Sequence, residues 1–310
     1  MATVVLTKIK DYEEEEIRRT VSKSLDFLNY DFSSINPLVV IKPNLCYYWD
    51  YSTGETTDPR VVSAIIDWIR QKLGENVCIV IGEADASAMR TKYAFKMLRY
   101  EELSREKGVK LVNLSEGKIV RREVTVAGEK FVLPVNRTLL KANLVINVPK
   151  LKYHRVVGFT CAMKNMFGAI AKPRKYVYHS KLARVIVGIN KIVKTNIVVV
   201  DGIIVSGKTP KKIGVMMTSN DPLATDFIAA QVTGCNPSRI GYLKLAIKEK
   251  VGEDVNKLVL VENPVGLEAI KKEFPKQNYL LQKLSWKLQM KMLKWYSKMS
   301  GDIIPPVLEK

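Results

Sequence analysis

Along most of this chain, short continuous apolar runs alternate with longer segments whose apolar residues recur at a helical period. Short runs rich in Val and Ile are apolar at consecutive positions, which is typical of strands covered on both faces of a sheet. Longer segments with a helical period separate these runs. Strands are predicted at residues 3–7, 37–41, 77–81, 109–112, 143–148, 196–200, 214–218 and 257–261. Helices are predicted at residues 13–28, 59–73, 91–107, 181–193, 222–233, 238–250 and 266–274.

This alternation predicts an α/β fold with a mostly parallel central sheet flanked by helices. Residues 120–135 are interrupted by Ala127-Gly128-Glu129 and predict an inserted β-hairpin. No linker composition divides the first 275 residues. We therefore expect a single α/β domain over residues 1–275 and a C-terminal helical extension over residues 276–310.

The C-terminal extension combines a lysine stripe with an apolar stripe. Lysines recur at helical spacing from Lys283 to Lys298, and Leu, Met and Trp residues repeat that spacing one position later. The pattern predicts a basic amphipathic helix over residues 278–299. Two interpretations remain open: the apolar stripe packs on the domain, or the helix lies on an anionic membrane surface.

Polar and titratable residues follow several of the predicted strands. Ligands of open α/β sheets bind beyond the carboxyl ends of the strands, so these residues are candidates for a site at one edge of the sheet. They are Lys42, Asn44, Glu83, Lys150, Lys152, His154, Asp201 and Asp221.

The segment after the strand at 143–148 concentrates basic donors. Lys150, Lys152 and His154 alternate with a period of two, so in an extended backbone they project to one side. Ammonium donors suit a phosphate or carboxylate, and a histidine can act as an acid or base near neutral pH. The same set continues with Lys164, Asn165, a basic run at 172–175 and His179. Structural histidines beside a solvated lysine face are the alternative.

The positive charge of the chain is concentrated in the same region. The net charge is +19, and the 71 positions between Glu129 and Asp201 hold fourteen Lys or Arg and no acidic residue. A merely solvated face usually mixes both signs. The bias therefore indicates an anionic partner.

Composition narrows the class of protein. A hydrophobic content of 47% excludes intrinsic disorder. No apolar run approaches the ~18 residues that a membrane span needs, and the N-terminus lacks a secretory pattern. The four cysteines form no C-x-x-C pair, so no local zinc or iron–sulfur signature is present. We expect a cytoplasmic protein, peripheral at the membrane if the C-terminal helix binds lipid.

Several sequence strings carry a resemblance to a known family. They are Val40-Ile-Lys-Pro-Asn-Leu-Cys46, Thr57-Asp-Pro59, Asn143–Lys152, Thr160–Gly168, Val200-Asp-Gly202 and Asp221–Asp226. Over residues 38–245 the chain resembles the archaeal and bacterial domain of unknown function 362 family, in the form without a ferredoxin-like segment. The family's activity is largely unassigned, so the resemblance implies a fold and a site rather than a reaction.

These observations favour an enzyme that binds an anionic, phosphate- or carboxylate-bearing small molecule in a lysine-rich cleft. Its reaction type and cofactor stay unassigned. The candidate catalytic residues are His154, Glu83 and Asp201. The candidate substrate-binding residues are Lys42, Asn44, Lys150, Lys152, Lys164, Asn165 and His179.

Alternative interpretations use other residues. Cys46 and Cys161 suit a redox or iron–sulfur-linked protein, because lysine-rich surroundings can depress a thiol pKa. A nucleic-acid-binding protein is the weaker alternative, because the basic segment has no recognition helix or aromatic platform. Glu83, Asp201 and Asp221 suggest at most a weak magnesium site, and no metal ligands are assigned.

One nucleotide-binding motif is misleading. Gly202–Thr209 matches the pattern G-x-x-x-x-G-K-T, but Pro210 follows and the next strand begins at once. A phosphate-binding loop needs a helix at that point, so we predict no triphosphate binding there.

Overall fold

The computed structural model describes residues 1–33, 38–87, 89–154, 157–207 and 209–275, together with Met292 and Trp295. Its strands are β1 (Thr3–Lys8), β2 (Leu38–Pro43), β3 (Cys78–Glu83), β4 (Lys110–Asn113), β5 (Ile119–Val126), β6 (Glu129–Asn136), β7 (Leu144–Val148), β8 (Lys152–His154), β9 (Gly158–Thr160), β10 (Ile197–Val205), β11 (Lys211–Ser219) and β12 (Val259–Asn263). Its helices are α1 (Glu14–Asp26), α2 (Pro59–Leu73), α3 (Thr91–Met97), α4 (Tyr100–Glu106), α5 (Arg137–Lys141), α6 (Ala162–Phe167), α7 (Leu182–Ile192), α8 (Pro222–Val232), α9 (Gly241–Lys248) and α10 (Leu267–Glu273).

Eight of the strands form one sheet in the order β12-β1-β11-β10-β7-β2-β3-β4. The strands from β10 to β4 along this order are parallel to one another, whereas β11 runs antiparallel to both of its neighbours. Strands β5 and β6 pair as an antiparallel hairpin outside this sheet. The predicted α/β fold with a mostly parallel sheet and an inserted hairpin is confirmed.

Two hydrophobic clusters cover the two faces of the sheet. Successive residues of a strand alternate between them: Val145 belongs to the cluster that contains α7 and α8, and Ile146 to the cluster that contains α1 and α2. Because side chains of a strand point to opposite faces in turn, a strand buried on both faces is apolar at every position. This packing explains the uninterrupted Val and Ile runs of the sequence.

Local sequence signals predict two of the helix starts correctly, but they do not predict where a helix is interrupted. Asp58 and Asp221 cap α2 and α8 by accepting backbone hydrogen bonds, as expected of aspartate before proline. The helix predicted over residues 91–107 is divided into α3 and α4, because Arg99 adopts the left-handed conformation with φ of 65°. Helix α6 was not predicted, since its six residues are too short for a helical period to stand out.

The C-terminal extension predicted over residues 276–310, with its helix at 278–299, lies outside the described residues except for Met292 and Trp295. These two residues are 63% and 66% exposed. In the described part of the chain, no helix has both the length and the apolar character that crossing a membrane requires.

Candidate functional site

A cavity of about 350 Å³ lies at the carboxyl ends of β2 and β3. Three further elements complete its wall: the β8–β9 hairpin, α6, and the 3₁₀ turn Lys175–Lys181. The structure brings most of the predicted site residues to this cavity, namely Lys42, Asn44, Glu83, Lys152, His154, Lys164, Asn165 and His179.

Lys42 and Glu83 form a buried ion pair at the base of the cavity. The Lys42 Nζ lies 2.7 Å from Glu83 Oε1, and Leu45 N–H donates to the other carboxylate oxygen at 3.1 Å. Burial lowers the pKa of Lys42, and Glu83 opposes this shift. The two side chains neutralise each other and orient the backbone that follows β2.

Lys152 is also balanced by groups of the protein. Its Nζ lies 3.0 Å from the Glu55 carboxylate and donates to the Glu55 carbonyl oxygen at 2.6 Å. Burial lowers the pKa of Lys152, but Cys46 and Glu55 outweigh burial, so the pKa is raised overall. No sequence pattern indicates Glu55 as the partner of Lys152, because it lies in an irregular loop far from Lys152 in the sequence.

Lys164 and Lys175 differ from these lysines. Within the described residues, neither forms an ion pair with a carboxylate: Lys164 Nζ lies 6.0 Å from the Phe167 ring, and Lys175 donates to the Asp85 carbonyl oxygen. Burial lowers the pKa of each to about 8, and the charge of Lys152 adds to this effect at Lys164. The cavity therefore holds two cationic groups that the described residues do not neutralise.

Buried acceptors without a partner also line the cavity. Within the described part of the chain, Thr160 Oγ1, Asn165 Oδ1 and Asn44 Oδ1 are inaccessible and accept no hydrogen bond. The Asn165 amide nitrogen is occupied, since it donates to Asn147 Oδ1 at 2.7 Å. Buried polar atoms are normally satisfied, so such atoms on a cavity wall suit a ligand with hydrogen-bonding groups.

The two histidines of the site lie on different walls. His154 ends β8, and its Nδ1 accepts a hydrogen bond from Val157 N–H at 3.4 Å. His179 stacks on Phe167 with the ring centroids 6.4 Å apart. Both rings line the cavity and are within reach of a bound molecule.

Lys150 and Asp201 are not among the residues that line this cavity. They form a fully buried ion pair at 2.9 Å, and Asp201 Oδ2 also accepts the Asp58 backbone N–H at 2.8 Å. Lys150 precedes β8 and pairs with Asp201 through a parallel bridge, so it does not continue the β8 alternation of Lys152 and His154. The pair joins β10 to the start of α2.

Asp221 was expected at the same edge of the sheet, and this expectation is wrong. Strand β11 runs antiparallel to β10, so Asp221, which follows β11, lies at the opposite edge. There it caps α8, with Ala224 N–H donating to Oδ1 at 2.7 Å. Across the described residues, no three His, Cys, Asp or Glu side chains assemble into a metal site.

The two candidate cysteines lie in different environments. Cys46 lines the cavity beside Lys152, whereas Cys161 is fully buried in the hydrophobic core. Burial, with a contribution from Asp226, raises the pKa of the Cys161 thiol well above its usual range. A reactive thiolate needs a depressed pKa, so Cys161 has the surroundings of a structural cysteine.

The sequence of this chain is similar to known proteins. The sequence matches the family described as Domain of unknown function (DUF362) over residues 39–231, a range that includes every residue lining the cavity. The Thylakoid-associated protein sll1697 of Synechocystis sp. is 23% identical over 265 residues, which cover 81% of this chain and 79% of that protein.

The solved structures that are similar in part include the lactate racemase apoprotein from Thermoanaerobacterium thermosaccharolyticum, with 14% sequence identity and a TM-score of 0.47. The similarity covers 69% of this chain and 53% of that chain, so it spans about half of the racemase. A similarity at this level carries no functional argument.

Proposed function

This chain belongs to the domain of unknown function 362 family, and we propose that its cavity binds an anionic small molecule bearing a phosphate or carboxylate group. The observation that supports this proposal is the pair Lys164 and Lys175. They line the cavity and lack a carboxylate partner among the described residues, whereas Lys42 and Lys152 are balanced from within.

Electrostatics favours an anion as the missing partner. A buried or half-buried cation without an ion-pair partner is unfavourable, and the lowered pKa of buried Lys175 and half-buried Lys164 expresses that cost. A bound phosphate or carboxylate would supply charge-assisted hydrogen bonds and stabilise the protonated lysines. Binding would then take up protons near pH 8.

The cavity also limits the size and polarity of the ligand. A volume of about 350 Å³ corresponds to a small molecule. The unpartnered Asn165 Oδ1, which can only accept, favours a ligand that carries a hydrogen-bond donor as well as its anionic group, whereas the unpartnered Thr160 hydroxyl can donate or accept.

One group suits proton transfer within an enzyme of this kind, since Lys164 is protonated when the anion is bound. His154 is the candidate, because it faces the same cavity and its Nδ1 is held as an acceptor. Glu83 and Asp201 are held in buried ion pairs and are assigned positioning roles.

Calorimetric titration tests the binding proposal. Inorganic phosphate, pyrophosphate, acetate and succinate are titrated into the full chain and into the variants Lys164→Ala and Lys175→Ala. At least one anion is expected to bind, with affinity reduced by about tenfold or more in each variant, which corresponds to a lost charged hydrogen bond. Lys130→Ala is the control, because Lys130 is exposed on the β5–β6 hairpin. Equal affinities for wild type and Lys164→Ala would contradict the proposal.

We also propose that the C-terminal segment associates with an anionic membrane surface. Met292 and Trp295 are largely exposed, as a lipid-facing stripe requires. The name of the Synechocystis relative describes that protein as thylakoid-associated.

Co-sedimentation with anionic vesicles tests this second proposal. The double variant Lys287→Glu/Lys294→Glu reverses two charges of the stripe and is expected to bind several-fold more weakly than wild type at low salt. Lys130→Glu/Lys118→Glu, with the same change in net charge on the domain, should bind as wild type does. Equal loss in both variants would indicate a nonspecific charge effect and contradict the proposal.

A further inference from the structure

Two exposed aromatic residues lie at the mouth of the cavity. Tyr47 lines the cavity and is 41% exposed, and Trp49 beside it is 49% exposed. Their ring centroids are 5.1 Å apart, with the planes inclined by 56°. Exposed aromatic rings next to a ligand cavity offer a hydrophobic contact surface to the part of the ligand that projects outward.

The backbone holds Tyr47 in an unfavourable conformation. Its φ is 53°, in the left-handed region that bulky side chains rarely adopt and that glycine adopts freely. The loop around it is fixed by hydrogen bonds, from Cys46 N–H to Thr56 Oγ1 at 3.3 Å and from Trp49 N–H to the Cys46 carbonyl oxygen at 3.3 Å. Strain of this kind is characteristic of residues at functional sites.

The inner wall continues this apolar surface. Leu45, Met89 and Phe167 are buried and also line the cavity. Lys164 Nζ lies 6.0 Å from the Phe167 ring, so a cationic group adjoins an apolar surface. The lining thus suits both an anionic group and a flat apolar body.

Building on the proposed function, we infer that the ligand is an aromatic anion. Its phosphate or carboxylate group lies at Lys164, and its ring packs against Tyr47, whose ring in turn contacts that of Trp49. Aromatic pairs prefer offset or edge-to-face contacts, and a pair of rings inclined to one another presents both a face and an edge to a third ring.

Matched phosphate esters test this inference on the full chain. Phenyl phosphate, cyclohexyl phosphate and inorganic phosphate are titrated by calorimetry, because the two esters have the same charge and similar size but only one carries a π face. Phenyl phosphate is expected to bind about threefold to tenfold more tightly than cyclohexyl phosphate, the range of an aromatic pair.

Substitutions of Tyr47 and Trp49 test whether these two rings cause the preference for phenyl phosphate. Tyr47→Leu and Trp49→Leu are expected to remove most of the phenyl preference while leaving the affinity for inorganic phosphate unchanged, and Tyr47→Phe is expected to keep the preference. Tyr47→Gly removes the ring and relieves the backbone strain, so it should lose the preference and melt no lower than Tyr47→Leu. This last variant separates loss of the ring from loss of folding.

The outcomes distinguish the two proposals. If both esters bind equally to wild type and depend on Lys164, the aromatic inference is wrong and the proposed anion site stands. A phenyl preference that survives Tyr47→Leu also overturns the inference. If no phosphate compound binds, the aromatic inference fails, and the proposed anion site then stands or falls with the titrations of acetate and succinate.

Discussion

The lysines of this protein divide into two groups that differ in their partners. Lys42 and Lys150 are fully buried, and each forms an ion pair. Lys42 Nζ lies 2.7 Å from a carboxylate oxygen of Glu83, and Lys150 Nζ lies 2.9 Å from one of Asp201. Lys164 and Lys175 lie at the cavity, and within the described residues neither forms an ion pair with a carboxylate, although Glu55 acts on Lys164 and Glu83 on Lys175 from farther away. The first group is neutralised by the fold itself, and the second forms no ion pair with a carboxylate of the described residues.

The comparison shows that an excess of lysine in one stretch of sequence is weak evidence for a partner. The acidic residues that balance Lys150 and Lys152 are Asp201 and Glu55, which lie outside the segment of 71 positions without acids. Burial and pairing decide which lysines remain available for a ligand.

Breaking a balanced pair should have the largest effect on stability. Lys150→Met leaves Asp201 buried without its counter-charge, so the free energy of unfolding is expected to fall by about 3–5 kcal/mol. Urea denaturation measures this change, and the exposed Lys130→Met should stay within about 0.5 kcal/mol of wild type. A loss below about 1 kcal/mol for Lys150→Met would show that the pair is not buried as described.

A buried acid near the site provides the second test. Burial raises the pKa of Asp226 to about 7. Its carboxylate accepts hydrogen bonds from Met163 N–H at 3.2 Å, at the start of the helix that carries Lys164, and from Tyr242 Oη at 2.8 Å. The folded state then binds more protons than the unfolded state between pH 4 and pH 7, so this group makes stability fall as pH rises through that window.

Asp226→Asn should remove that dependence. Denaturation at pH 5 and at pH 7.5 is expected to show a drop in stability that is smaller in the variant than in wild type by roughly 2–4 kcal/mol. The reverse order, with the steeper drop in Asp226→Asn, would contradict the raised pKa.

The unbalanced lysines predict the opposite pH dependence at alkaline pH. The pKa of Lys164 is about 8 in the folded protein, below its usual 10.5, so the unfolded state binds more protons between these values. Stability contributed by this group therefore rises as pH increases from 8 to 10.5. Because Lys164 is only half-buried, we expect the gain in the free energy of unfolding between pH 8 and 10.5 to be larger in wild type than in Lys164→Met by only about 1–2 kcal/mol. If the free energy of unfolding changed with pH in the same way in both proteins, the lowered pKa of Lys164 would be excluded.

Proton uptake on binding is the smallest and most specific effect. An anion that pairs with Lys164 and Lys175 should raise the pKa of both, so binding at pH 8 is expected to take up on the order of one proton. Calorimetry of an anion that binds, in buffers of different ionisation enthalpy, measures that number. Lys164→Ala should reduce it by about half. A wild-type value of zero would place the anion away from these lysines.

The sequence by itself determined the fold class and much of the order of elements. Consecutive Val and Ile residues predict buried strands wherever they occur, and the runs near residues 39, 79 and 145 became β2, β3 and β7. The helix caps at Asp58 and Asp221 could also be predicted from the sequence, because an aspartate before proline acts on backbone groups only two or three residues away. All of these signals act over a few residues.

Eight of the ten candidate residues line the cavity, whereas Lys150 and Asp201, which were also expected there, do not. Lys42, Lys152 and Lys164 follow strands or lie in short motifs, which is why they could be assigned to one cavity. Helix α6 and the role of Lys175 were not apparent, because a six-residue helix and a single lysine in a basic run leave no distinctive pattern.

Tertiary structure alone decided which charges are balanced and which strand ends share an edge. The antiparallel direction of β11 moved Asp221 to the far side of the sheet, although its sequence resembles that of the other strand ends. Lys42 pairs with Glu83, which is 41 residues away in the sequence, and Lys150 pairs with Asp201, which is 51 residues away. Coulomb energies depend on distance and burial, and for residues so far apart in the chain both are properties of the folded state.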